Sequence, residues 1–174
     1  MLLDKSDIHN LKDALLLAIY LDHTQIAETI IRHPKYIKHR QQLMKRDLDS
    51  FYETKSEEGD SQFSPDITPL MLASQYNRVR IVQILYELGD RINKPHSFHC
   101  ECPNCSNRLE FDSLRHTQSR LNSYKALASE SYISFASEDP ILTAFELGHE
   151  LRMLSTKEKC FKVLLLFLDI LFKS

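Results

Sequence analysis

The sequence predicts a mainly α protein: paired helices first, a short cysteine-rich loop, then a helical extension. Three observations predict it. Apolar residues recur at helical spacing in two separate stretches. Among 174 residues there are only 3 Gly and 6 Pro, so turns that need positive φ are few and a meander of hairpins is disfavoured. Three of the 4 cysteines fall within six positions. The apolar fraction of 43% and charged fraction of 26% are ordinary for a globular chain and argue against disorder throughout.

The first stripe joins Leu11, Leu15, Ala18 and Ile19, and a second joins Ile26, Ile30 and Ile31 after a break at Asp22-His23-Thr24. Two short helices with a tight turn account for this. A second pair opens at Ile67-Thr68-Pro69-Leu70-Met71-Leu72-Ala73, with Pro69 suited to the first helical position, and continues through Ile81, Val82, Ile84 and Leu85 to Gly89. Asp13 to Ala18 aligns with Thr68 to Ala73, and His23 to Ala27 with Arg78 to Val82. Thr-Pro-Leu-x-x-Ala, then Ile-Val and a closing Gly, is the ankyrin pattern, strong in the second unit and weak in the first. The offset is 55 residues where the usual period is about 33. The surplus lies in 34–66, a polar insertion expected to be partly helical from Gln41 to Phe51. An unrelated α-fold with two helical hairpins is the competing reading.

His96, Cys100, Cys102 and Cys105 lie within ten residues, the ligand types and density of a tetrahedral Zn2+ site. Four protein ligands leave no open position for water, so such a site is structural. Three thiolates and one neutral imidazole carry a net charge of −1, which backbone N–H groups or cations should support. Three alternatives remain: His99 in place of His96, redox chemistry at Cys102 and Cys105, or unliganded surface thiols. No thioredoxin-like pattern surrounds the Cys-x-x-Cys pair. Cys160 stands 55 residues away and reads as a buried or incidental thiol.

Asp112-Ser113 can cap a helix running through Leu114, Thr117, Leu121, Tyr124 and Ala128. Its polar face carries Arg115, His116, Arg120 and Lys125; Arg115, Arg120 and Lys125 are a weak candidate contact for an anionic partner. Asp139-Pro140 starts a last helix expected to bury Ile141, Leu142, Phe145 and Leu151.

The balance of 22 basic and 24 acidic residues gives no field to draw in nucleic acid. No stretch reaches the roughly 18–20 apolar residues of a spanning helix. The start shows no apolar signal region, so the expected compartment is reducing and disulfides are not expected. No glycine-rich phosphate loop, nucleophile–base pair or carboxylate pair occurs, so the chain is not expected to be an enzyme.

The ordered strings Ile67 to Ala73, Pro95-His96 with Cys100-x-Cys102-x-x-Cys105, Asp112 to His116, Ser119 to Asn122, Tyr124 to Ser129 and Ser137 to Leu147 together carry a family resemblance. They resemble the cytosolic N-terminal region of TRPC-type transient receptor potential cation channels, including the insect TRP-like members, from about Asp13 to Lys159. The resemblance implies ankyrin repeats through 1–94, a zinc-binding loop at 95–111 held by His96, Cys100, Cys102 and Cys105, and linker helices over 112–160. It also implies tetrameric, calcium-permeable, non-selective channels opened downstream of phospholipase C and discussed as store-operated. Their partners are other TRPC-type subunits and regulatory or scaffold proteins, at the cytoplasmic side of the plasma membrane. Two departures stand out. The family carries further repeat helices before the first unit, and the apolar tail 161–174 does not resemble the family's continuation. With no pore in this chain, the expected role is assembly and regulation; the alternative is a short ankyrin-type interaction protein that binds or suppresses channel subunits.

Overall fold

The computed structural model describes residues 8–45, 62–64, 66–97, 100–111 and 113–162. They are helical with no strand among them, in two compact units, Met1–Asp90 and Arg91–Ser174.

In the first unit α1 (Ile8–Tyr20) and α2 (Thr24–Ile31) form one hairpin, and α4 (Pro69–Gln75) and α5 (Val79–Glu87) the other. Leu11, Leu15, Leu16, Ala18 and Ile19 of α1 are buried, as are Ala27, Ile30 and Ile31 of α2. The second hairpin buries Leu70 to Ser74 and Ile81, Val82, Ile84 and Leu85. The expected place of Ile26 in the buried stripe is not found: it points outward. The hairpins stack with α1 on α4 and α2 on α5.

Their equivalence extends to single backbone angles. Asp22 and Asn77, 55 positions apart, both take positive φ, at 62° and 50°. The residue after each donates back to the same carbonyl, His23 N–H to Ala18 and Arg78 N–H to Ala73, both at 2.8 Å. Asp and Asn tolerate this left-handed region better than most residues, so neither turn needs glycine. Ion pairs cross between the hairpins, Arg78 to Asp22 at 2.7 Å and Arg80 to Glu28 at 3.0 Å. Thr68 caps α4 through its hydroxyl and the N–H of Met71, 3.2 Å apart. Gly89, at φ 96°, ends α5 in a Schellman turn: its N–H donates to Tyr86 and that of Asp90 to Leu85.

The surplus between the hairpins begins as α3 (Pro34–Lys45), so the helix starts at Pro34 and not at Gln41; the expected continuation to Phe51 lies outside the described residues. It packs on α1 and α2. Arg40 of α3 reaches the end of α5, where it pairs with Asp90 at 2.6 Å and donates to the Leu88 carbonyl. A cation at these last carbonyls suits the helix dipole.

The second unit holds α6 (Pro103–Phe111), α7 (Ser113–Leu127), α8 (Glu130–Ala136) and α9 (Pro140–Lys157). Tyr124, Ala128, Leu151, Leu154 and Phe161 form one core cluster, and Ile133, Ala144 and Leu147 another. Asp139 caps α9 by accepting from the Leu142 N–H at 3.0 Å, with Pro140 in the first turn. One expectation of burial fails here. On α9 Ile141, Leu142 and Phe145 are 73%, 55% and 74% exposed; only Leu151 of that set is interior. The reason is register. The residues that meet α7 and α8 are Ala144, Leu147, Leu151 and Leu154, at steps of three and four, and this stripe leaves Ile141 and Phe145 on the opposite side. Asp112 and the tail from 163 lie outside the described residues.

Candidate metal centre

Two features place the cluster. The chain leaves Arg91 extended, and the Ile92 N–H donates to the Tyr132 hydroxyl of α8 at 3.1 Å. Two residues on, Lys94 pairs with Glu150 of α9 at 2.6 Å, while the other oxygen of Glu150 accepts from the Tyr124 hydroxyl at 2.6 Å. His96 follows this anchored stretch directly. The second feature is the start of α6. Cys102 immediately precedes Pro103, and Cys105 lies in the first turn. The Cys105 N–H points at the Cys102 sulfur, 3.4 Å away. A helix N-terminus favours negative charge, so it favours thiolates at these positions.

One ligand atom from each of His96, Cys100, Cys102 and Cys105 lies within 4.8 Å of all the others. The Nδ1 of His96 is 3.4 Å from the Cys100 Sγ, 3.5 Å from that of Cys102 and 3.4 Å from that of Cys105. These distances test the fit of a metal. With Zn–S near 2.3 Å and Zn–N of 2.0–2.1 Å, tetrahedral angles put N and S about 3.6 Å apart. Three nearly equal N···S distances just under that value fit an imidazole and three sulfurs as candidate ligands of one ion. All four cysteines of the chain are free of disulfides.

The electrostatics of the three sulfurs are uneven. The Cys105 N–H, and then hydrogen bonds from the Cys105, Cys100 and His96 side chains, draw the Cys102 thiol down to about 6. Burial, then the Cys102 and Cys100 sulfurs, pushes Cys105 up to about 12. One thiolate at Cys102 is therefore prepared, and a second beside it is resisted until a cation arrives. The competing ligand His99 lies outside the described residues.

The polar face of α7 divides. Arg115 and Lys125 are exposed, but Arg120 is interior, at 7% exposure, so it is not part of an anionic-partner surface. Its Nη1 meets Glu158 at 2.6 Å and its guanidinium lies over the Phe161 ring, 5.6 Å from the centroid. Phe161 in turn stacks edge-on against Tyr124 at 5.6 Å. Burial and Glu150 raise the Tyr124 hydroxyl above its usual range, which keeps it a donor. Lys94, Tyr124, Tyr132 and Glu150 hold the approach to the cluster, yet they sit tens of residues apart with no shared spacing. No pattern in the sequence marks them.

Residues 66–96 match the Ankyrin repeat family. Residues 100–162 match the family described as Transient receptor ion channel II. The chain is 41% identical over 168 residues to "Short transient receptor potential channel 3" of Rattus norvegicus, covering 93% of this chain and 18% of that protein. By sequence it resembles the short transient receptor potential channels over nearly all of its own length. The same channel from Homo sapiens is 41% identical over 167 residues, and "Short transient receptor potential channel 4" of Mus musculus is 42% identical over 150 residues, 86% of this chain and 14% of that protein. The chain thus spans less than a fifth of the length of these short transient receptor potential channels. Their names describe channels, not enzymes. Among the described residues no helix is long and apolar enough to cross a membrane. The four clustered ligands straddle the two family matches, with His96 at the end of the ankyrin match and the cysteines at the start of the other.

Proposed function

We propose that this chain is part of the cytosolic N-terminal base of a cation channel subunit, where it serves assembly and regulation. His96, Cys100, Cys102 and Cys105 hold one structural Zn2+. Arg115 and Lys125 are secondary candidates for contact with an anionic partner. In this reading the ankyrin region runs through 94, the zinc loop through 95–111 and the linker helices through 112–160. Full-length subunits join as homo- or hetero-tetramers at the plasma membrane and pass calcium among other cations in response to phospholipase C. The observation that carries the reading is the gathering of one Nδ1 and three Sγ atoms within 4.8 Å of one another, on residues where the two family matches meet.

The metal's part is to hold in place a loop with little core of its own. It closes on the last residue of one matched segment and the first of the next. Rigidity there lets a change felt by the repeats reach the helices that follow.

A chimera tests this. The matching stretch of the rat channel is replaced by this chain, and both assembly and receptor-evoked cation current are measured. The purified chain should carry one zinc per molecule, and the chimera should assemble and conduct. Cys102→Ser should lower zinc content and abolish assembly of the chimera. A zinc-free chain, or a Cys102→Ser chimera that assembles and conducts as before, overturns the proposal.

A further inference from the structure

Glu150 of α9 carries two bonds of different character on one carboxylate. Its Oε1 accepts from the hydroxyl of Tyr124, a buried side chain, at 2.6 Å. Its Oε2 meets the ammonium of Lys94, whose side chain is 60% exposed, at 2.6 Å. An exposed ion pair is ordinarily weak, because two long side chains must be held still and water screens them. Here one of the two is already held. Tyr124 lies in the core cluster with Ala128, Leu151, Leu154 and Phe161, and its hydroxyl fixes the direction of the carboxylate. Lys94 closes onto a partner that pays little further entropy, so the pair is stronger than its exposure suggests.

Lys94 stands two residues before His96, the single imidazole of the candidate site. Two residues before Lys94, the Ile92 N–H donates to the hydroxyl of buried Tyr132 at 3.1 Å. The chain entering the site is thus bound twice, once to α8 and once to α9. Two bonds on one non-helical stretch fix its direction as well as its position, whereas one would leave it free to swing. The cysteines arrive from another anchor. Cys102 and Cys105 stand at the start of α6, and α6 packs on α7, the helix that carries Tyr124.

From this we infer that Glu150 is a positioning residue for the metal centre: through Lys94 it holds His96 where the imidazole meets the three sulfurs. The inference rests on the metal reading above, and Glu150 acts through Lys94 without being one of the four ligands. Linkage runs both ways. Whatever factor this clamp adds to metal affinity, bound metal adds to the clamp. Metal then seats α9 against α7, and displacement of α9 loosens the metal.

Competition against a chromophoric chelator gives the zinc affinity of the full chain, and thermal unfolding with and without zinc gives the stabilisation by metal. Lys94→Met, on the surface, and Glu150→Gln, verified as folded by circular dichroism, should each lower zinc affinity about 5-fold. The zinc-induced rise in melting temperature should shrink in both. The two changed together should lose no more than about 2-fold beyond either alone, because both act through one contact. Lys94→Arg keeps the charge and the reach and should stay within about 2-fold of the parent. Ile133→Val trims the other core cluster; it should lower the melting temperature and leave zinc affinity within about 2-fold, which a role through general stability would not allow. One zinc per chain with unchanged affinity in Lys94→Met and Glu150→Gln overturns the positioning role and leaves the metal reading standing. Additive losses in the double variant, or an equal loss in Ile133→Val, do the same. A parent chain that binds no zinc overturns both.

Discussion

Cys102 and Cys105 of the cluster respond to acid separately. Between pH 6 and 12 Cys102 is already a thiolate while Cys105 still holds its proton, because the Cys105 N–H favours one anion and burial disfavours the next. A metal ion that takes up Cys105 must displace that proton. Apparent zinc affinity should therefore rise about tenfold per pH unit from Cys105 alone. Below pH 6, where Cys102 is protonated too, the dependence should steepen by a further factor of about ten per unit. Competition titrations with a chromophoric chelator at pH 5.5 and from 6.5 to 8.5, with proton release followed in weak buffer, measure both. A flat profile would mean that Cys105 is not a ligand. The ligand types and spacing of this site were legible from residues 96–105 alone, since chelation by a short loop is a local property. The hydrogen bonds of Ile92 and Glu150 were not, because they depend on which helices come together.

At the scale of the element, α7 shows where pattern reading fails and why. Its spacing gave a correct helix, but Arg120 was placed outward by residue type. A guanidinium enters the interior when a carboxylate meets it, and that carboxylate, Glu158, lies 38 positions further on. Arg120→Leu would leave the largely covered Glu158 carboxylate without its cation. The expected cost is about 3 kcal/mol, the scale at which breaking one partner of a buried pair destabilises. Adding Glu158→Leu should recover most of it, since two apolar residues can replace such a pair. Thermal unfolding of both variants measures this, and a harmless single Arg120→Leu would mean the pair adds nothing. α9 fails in the other direction. Its cap at Asp139 was readable to the residue because capping is local, whereas which stripe turned inward was decided by Ala144 and Leu147 against Ile133.

On the scale of the whole molecule, all four candidate metal ligands belong to the second unit, Arg91–Ser174. The stacked hairpins draw on their own core and on the Arg78–Asp22 and Arg80–Glu28 pairs. Removing zinc should therefore loosen one unit and spare the other. With a strong chelator, amide exchange should accelerate by an order of magnitude or more from Cys100 through α7. Amides of α4 and α5 should exchange as before. Equal acceleration throughout would mean that the two units unfold as one. The repeat units themselves were legible in the sequence, down to the 55-residue offset, because each hairpin carries its own capping and turn residues.

That offset also bears on the order of events as the chain folds. Each hairpin closes through contacts only a few residues apart and can form within microseconds. Equivalent positions of the two hairpins, which then have to meet, lie 55 residues apart where an ordinary repeat spans about 33. The entropy of closing a loop grows only with the logarithm of its length, so the longer excursion adds about 0.5 kcal/mol to that step. Arg40, bound to the far end of α5, draws the excursion back before it has run its length. Docking of two preformed hairpins, with α3 as a tether between them, is thus the slow step for this unit, and it is slowed by no more than about twofold relative to a regular array.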